Sequence, residues 1–175
     1  MTEAHKTSHQ THTPRRLARA FALLGVYEWI TNPTLSAAQI EASLPDLVQE
    51  EDGGPVEDAD LTVEDWARCD RTFLTELLSG VTVGSEAVKA EFAAFVDRDL
   101  RRVSLVERAI LFLGTHELMH CPQTPYRVVL NESIELAKRF GSGYRFTNAV
   151  LERVAQKVRE AEFTADHAKK EKAGA

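Results

Sequence analysis

The chain of 175 residues, 43% of them hydrophobic, is long enough for one domain with a substantial core. Its formal net charge of −6 argues against a protein that coats nucleic acid indiscriminately. We expect residues 1–13, which are polar and lack periodicity, to form a disordered tail. The chain shows no secretory signal, and no apolar run approaches the roughly 18 residues of a membrane span, so we expect a cytoplasmic protein.

The first predicted helix begins among basic residues. Thr13 is a typical N-cap and Pro14 a typical first residue, and apolar residues follow at helical spacing. The first turns contain three arginines: Arg15, Arg16 and Arg19. Acidic residues dominate between residues 41 and 70, so the sequence predicts one basic surface on an otherwise anionic protein.

Later helices are predicted from their caps. A short helix over residues 35–44 leads into a solvated acidic loop, residues 46–60. Capping boxes at Thr62 and Ser104 open two more helices, and we predict the others in the ranges that follow. The predicted helices after the loop cover residues 63–80, 86–100, 105–121, 126–140 and 144–160. No stretch alternates with period two, so we expect an all-α fold of six or seven helices over residues 14–160 and a frayed or disordered tail over residues 161–175.

The fifth predicted helix contains His116, Glu117 and His120 in the H-E-x-x-H spacing of zinc peptidases. Its sequence is apolar nearly all round, which is typical of a buried helix without an open face for a peptide. The possible third ligands, Glu132 and Glu135, follow closely beyond two prolines. We therefore treat a zinc peptidase as a remote alternative, with His116 a hydrogen-bonded residue near the core and His120 in the last helical turn.

The two cysteines, Cys69 and Cys121, form no C-x-x-C pair and lie in helix-like sequence. We interpret them as small buried apolar residues and not as a disulfide framework. We expect no metal ligands and no cofactor.

Five segments in order resemble the NusB family of transcription antitermination factors over about residues 14–156. They are RRLARAFALLGVYEW, FLTELLSGV, VERAILFLGTHEL, TPYRVVLNESIELAKRFG and FTNAVLERVA. In this family an aromatic residue is common at the position of His116. The resemblance implies an all-helical fold of two packed small bundles, without catalysis. It also implies binding to boxA, a short single-stranded RNA element of ribosomal RNA leaders, together with the ribosomal protein NusE, in an RNA polymerase antitermination complex.

The resemblance and the residue types together suggest an RNA site. Guanidiniums at a helix start can contact phosphates or stack on bases. Aromatic and amide side chains near the start of the last long helix can stack on bases and hydrogen-bond their edges. The predicted RNA-binding residues are Arg15, Arg16, Arg19, Tyr27, Tyr144, Phe146 and Asn148. The alternatives are a solvated helix start for the arginines, a core position for Phe146, a structural amide for Asn148 and simple packing for Tyr27.

For the protein partner, the family suggests the face around the helices over residues 86–100 and 105–121. The candidate residues are Arg98, Arg101, Arg102, Glu107 and Arg108. Glu107 is better explained as the reciprocal residue of the capping box with Ser104. Two departures from the family put the mode of base recognition in question: a shorter link over residues 141–146, and Ala149 where glycine is common.

Two further alternatives remain. Some ribosomal RNA cytosine methyltransferases have a NusB-like domain, but this chain has no room for their catalytic domain and no glycine-rich nucleotide-binding motif. A homodimer that buries the basic helix is also compatible with the sequence.

Overall fold

A computed structural model describes residues 12–49 and 60–174 of the chain. This part consists of nine α-helices and one short 3-10 helix and contains no strand. In chain order the α-helices are α1 (Pro14–Thr31), α2 (Ala37–Leu47), α3 (Val63–Arg68), α4 (Arg71–Val83), α5 (Ser85–Ala93), α6 (Leu105–His120), α7 (Tyr126–Arg139), α8 (Arg145–Val158) and α9 (Glu160–Ala173). The 3-10 helix, Leu100–Arg102, precedes α6. Among these helices there is none with the length and apolar character needed to cross a membrane.

The central helix is α6. Its residues from Ala109 to Leu118 are all buried, and it packs against α1, α4, α5, α7 and α8. The prediction that this helix is buried is therefore confirmed. The second long buried stretch runs from Leu17 to Val26 in α1, which packs on α4 and α6. Each large apolar side chain so buried contributes about 1.5–3 kcal/mol.

The prediction of all-α structure is confirmed, but the number of helices is larger than expected. The helix predicted over residues 63–80 is two helices, because the backbone of Cys69 is extended and Asp70 starts a new helix. The Asp70 carboxylate accepts a hydrogen bond from the Phe73 amide, as an N-cap does. Asp70 therefore acts as a start signal inside an apolar pattern that otherwise reads as continuous.

The C-terminal segment is the second difference. We predicted a frayed or disordered tail from residue 161, whereas Glu160–Ala173 form α9. The ring of Phe163 packs against Tyr126, and the Asp166 carboxylate accepts a 2.6 Å hydrogen bond from the Tyr126 hydroxyl. The Glu162 carboxylate accepts a hydrogen bond from the Tyr126 amide at 2.9 Å. Since α7 has no side-chain cap of its own, α9 supplies one.

The predicted caps of α1, α3 and α6 are confirmed: Thr13, Thr62 and Ser104 each accept a hydrogen bond from the amide three residues on. The helix α7 ends as predicted before Gly141, whose φ of 66° is left-handed. The amide of Ser142 bonds to the carbonyl of Ala137 and that of Gly141 to Lys138, a Schellman motif. The predicted tail up to residue 11 and most of the acidic loop, residues 50–59, lie outside the described residues.

Candidate functional site

The start of α1 presents two arginines with different environments. The Arg15 guanidinium lies over the Phe73 ring, 3.7 Å from its centroid, and is half-buried. The Arg16 guanidinium makes a bidentate ion pair with Glu132 of α7, at 3.0 and 2.8 Å. This hydrogen bonding raises the pKa of Arg16 above its ordinary value. Both side chains are thus held in place at the protein surface by partners on other helices.

Arg19 has a different place from the one we predicted. Only 5% of the residue is exposed, and its guanidinium makes a bidentate pair with the Glu117 carboxylate, which is 3% exposed. The shortest distance between the two groups is 2.8 Å. A guanidinium enclosed in this way has no open edge for a phosphate, so Arg19 joins α1 to α6 and does not belong to an RNA-contacting surface. Sequence spacing put Arg15 and Arg19 on one face, and the packing of α6 covers the second of them.

A cleft of about 280 Å³ lies next to Arg16, between α1 and α7. Its charged lining residues are His12, Arg16, Glu132, Glu135, Lys138 and Arg139. Burial, followed by the charges of Arg139 and Arg16, lowers the pKa of His12, and burial lowers the pKa of Arg139. Three cationic side chains, Arg16, Lys138 and Arg139, therefore line this cleft together with two carboxylates.

The sequence interpretation missed His12, Lys138 and Arg139 as members of this surface. Lys138 and Arg139 lie in the last turn of α7, where cations are favoured by the helix dipole alone. Their spacing gave no sign of the α1 surface, because it is the tertiary contact between α1 and α7 that brings them together.

The predicted aromatic residues near α8 differ in access. Tyr144 precedes α8 and is 37% exposed, with the Lys138 ammonium 5.5 Å from its ring centroid. Tyr144 therefore lies next to the cleft, beside its lining residue Lys138. Phe146 is half-buried against the core, and the Arg98 guanidinium covers its ring at 4.4 Å. A base could stack on Phe146 only after Arg98 had moved.

The other two predicted RNA-binding residues, Asn148 and Tyr27, have intermediate exposure. Asn148 is half-buried in the first turn of α8, where its backbone amide bonds to the Tyr144 carbonyl at 2.9 Å. Tyr27 is half-buried on α1. It follows Arg16 by about three helical turns, so the two share one side of α1 at a separation of about 16 Å.

The predicted partner residues lie in the short 3-10 helix and on either side of it. Arg101 pairs with Asp99 at 2.9 Å, and these hydrogen bonds lower the pKa of Asp99. Arg102 is exposed, and Arg98 pairs with Asp97 besides covering Phe146. Within residues 12–49 and 60–174, the Arg108 Nε is buried without a hydrogen-bond partner. Arg101 and Arg108 border a second cleft, of about 460 Å³. The apolar lining of this cleft includes Trp29, Phe92 and Phe112.

Glu107 forms the reciprocal half of the capping box. Its carboxylate accepts from the Ser104 amide at 3.3 Å, and its own amide donates to the Ser104 hydroxyl at 3.2 Å. The preferred interpretation of Glu107 as a cap is confirmed.

The H-E-x-x-H stretch does not have peptidase geometry. Its glutamate, Glu117, is buried in the pair with Arg19 and is thus unable to act on a metal-bound water. His120 lies in the last turn of α6, as predicted, and is exposed. His116 is near the core, as predicted, but our expectation of a hydrogen-bonded imidazole is wrong. Both of its ring nitrogens are buried without a partner among the residues described, and burial lowers its pKa to about 4.

Comparison with known proteins gives consistent results. The family model described as the NusB family matches residues 16–156. A transcription antitermination protein NusB from Azoarcus sp. (strain BH72) is 40% identical over 90% of this chain and 92% of its own length. Proteins of the same name from Thiobacillus denitrificans and Aromatoleum aromaticum are 37% and 42% identical, over 89% and 86% of this chain and 96% and 94% of their own lengths. The resemblance inferred from the five segments is therefore confirmed, and the chain belongs to the NusB family.

Proposed function

We propose that this chain is a transcription antitermination factor that binds boxA-type single-stranded RNA of ribosomal RNA leaders together with NusE. In this role it promotes processive transcription of ribosomal RNA operons as part of an RNA polymerase complex in the cytoplasm, and it performs no catalysis. Family membership over most of the chain is the observation that supports the proposal most strongly.

The RNA site of this proposal is the cationic surface around the start of α1, which we call the α1 surface. Its proposed RNA-contacting residues are His12, Arg15, Arg16, Lys138, Arg139 and Tyr144. Glu132 and Glu135 lie on the same surface and pair with Arg16 and Lys138, and the lowered pKa of His12 favours its neutral ring. Cationic side chains would contact phosphates, and the exposed ring of Tyr144 would stack on a base. Tyr27 extends the site along α1, and Asn148 extends it into α8. Phe146 would join the site only when Arg98 moves off its ring. Arg19 is not a contact residue but holds α1 against α6 through its ion pair with Glu117.

The partner site of this proposal is the arginine-bordered cleft at the other end of α1. Its apolar floor and cationic edge would suit a protein segment with apolar and acidic side chains. Arg98, Arg101, Arg102 and Arg108 are the contact residues, and Glu107 holds the start of α6 for them. The proposed division into two small bundles, α1–α4 and α5–α8, puts this cleft where the bundles meet, and contacts of α6 with both groups support it.

The test is a binding titration with purified protein. A labelled boxA RNA and a scrambled RNA of equal length are compared at two salt concentrations, with and without a NusE homologue. We expect tighter binding to boxA, a further gain with NusE, and weaker binding of both RNAs at higher salt. Equal affinity for both RNAs under all conditions would refute the proposal, because a phosphate contact without base recognition gives no selectivity.

A further inference from the structure

Three side chains with metal-binding atoms meet at the end of α6. Glu76 is on α4, His116 is on α6, and Cys121 immediately follows α6. One carboxylate oxygen, one imidazole nitrogen and the thiol sulfur all lie within 4.8 Å of one another. The Cys121 sulfur is 3.5 Å from a Glu76 carboxylate oxygen, to which the thiol donates.

Among the residues that the structure describes, the imidazole of His116 has no hydrogen-bond partner. The residue is 4% exposed, and both ring nitrogens are buried and unsatisfied. Buried polar groups in folded proteins almost always have a hydrogen-bond partner, so such a group calls for an explanation. A bound cation would supply the missing partner to one of the nitrogens.

The neighbouring backbone makes room for this ring. Gly80 lies beneath it, and a Cβ at that position would be 2.0 Å from the His116 Cε1 atom. The helix α6 ends at His120, and Cys121 leaves helical geometry with φ of −117° and ψ of 66°. Its carbonyl accepts a 2.8 Å hydrogen bond from Arg159, which fixes the turn. The fold thus holds a thiol and an imidazole beside a carboxylate that is open to solvent.

We propose that Glu76, His116 and Cys121 form a binding site for a zinc ion. A thiolate and an imidazole favour zinc over magnesium or calcium, which prefer oxygen ligands. In a tetrahedral site with ordinary bond lengths, sulfur and oxygen ligands lie about 3.6 Å apart, close to the distance between Cys121 and Glu76. The Cys121 proton leaves to solvent when the metal–sulfur bond forms.

This site is distinct from a zinc peptidase centre. It uses the first histidine of the H-E-x-x-H stretch but neither Glu117 nor a third ligand from α7. Its ligands join α4 to the turn between α6 and α7, and the Thr124 hydroxyl in that turn lies 3.5 Å from Arg15. Zinc would therefore stiffen the turn behind the α1 surface. The proposal does not depend on RNA binding.

The experiment uses the full chain, freed of metal with a chelator and then titrated. Zinc binding is followed by calorimetry, and cobalt is used as a spectroscopic substitute. We expect one ion per chain, a thiolate-to-cobalt charge-transfer band, and a higher melting temperature with zinc. Cys121→Ser should abolish the band. Glu76→Gln, at an exposed position that leaves the core intact, should weaken zinc binding by about tenfold or more, since even outer-shell partners matter by 10- to 100-fold.

Two controls separate this site from other binding. Cys69→Ser removes the other buried cysteine and should leave zinc affinity unchanged. The sequence also contains His5, His9 and His12 near its start, so a variant with all three replaced by glutamine should retain the site. The proposal is overturned if the chain binds no zinc. It is equally overturned if affinity survives both Cys121→Ser and Glu76→Gln, or if the three-histidine variant loses all binding.

Discussion

At the scale of single residues, burial decides which arginine of the first helix can meet a ligand. Replacing Arg19 by Met should lower the free energy of unfolding by about 3–5 kcal/mol, because the buried Glu117 carboxylate loses its counter-ion. Urea denaturation measures this loss. The double variant Arg19→Met with Glu117→Leu should recover much of it, since no charge is then left buried. A single variant as stable as the parent would contradict the structural role of Arg19.

Substitutions at Tyr144 and Phe146 should have different effects, the first on RNA affinity and the second on the stability of the fold. Tyr144 is more than a third exposed beside Lys138, so Tyr144→Ala should weaken RNA binding by about 1–3 kcal/mol with little change in melting temperature. Phe146 packs on the core beneath Arg98, so Phe146→Ala should chiefly lower the melting temperature. Parallel RNA titrations and thermal melts test both variants. The reverse pattern would make Phe146 the base-stacking residue.

At the scale of elements, the sequence predicted helices well where their signals are local. Thr13, Thr62 and Ser104 have the side chains that cap a helix start, and Gly141 has the freedom to end one. The break at Asp70 was missed because apolar spacing continues across it. The helix α9 was missed for another reason: its sequence is polar, and its contacts with Tyr126 are tertiary.

The contacts of α9 predict a measurable contribution to stability. Truncation after Arg159 removes Glu162, which caps α7, and Phe163, which covers Tyr126. We expect the free energy of unfolding to fall by about 1–3 kcal/mol, from the lost cap and lost apolar contact. Circular dichroism melts measure the change, and the exposed substitutions Lys170→Ala and Lys172→Ala serve as controls. An unchanged melting temperature would show that α9 does not support α7.

At the scale of the whole molecule, fold class and family followed from the sequence, whereas the membership of the site did not. The cations Lys138 and Arg139 join Arg16 only because α7 packs against α1. Arg19 has the spacing of a surface residue, yet it lies beneath α6. These positions depend on which helix faces pack against each other. The hydrophobic pattern of a single sequence identifies the apolar face of each helix but not the helix against which that face packs.

The α1 surface and the arginine-bordered cleft lie at opposite ends of α1. The outlying members of the proposed RNA site are closer to the cleft, because Tyr27 precedes Trp29 by two residues and Phe146 lies under Arg98. Arg16 belongs to the α1 surface, and Trp29, about 20 Å along the helix, lines the cleft. Changes at one end should therefore leave binding at the other intact. Arg102→Glu should reduce the gain in RNA affinity that NusE gives, without altering RNA affinity measured alone. Loss of RNA affinity in the absence of NusE would show that the surfaces are not separate.

The most direct test of the α1 surface is the boxA affinity of Arg15→Glu, measured over a series of salt concentrations. Lys172→Glu, which makes the same charge change on an exposed part of α9, is the matched control. If Arg15 contacts a phosphate, its variant should bind boxA about tenfold or more weakly, with a salt slope reduced by about 0.7. A thermal melt of each variant measures the stability lost with the contact between Arg15 and Phe73. Equal, small effects of both variants would contradict the assignment of RNA binding to the start of α1.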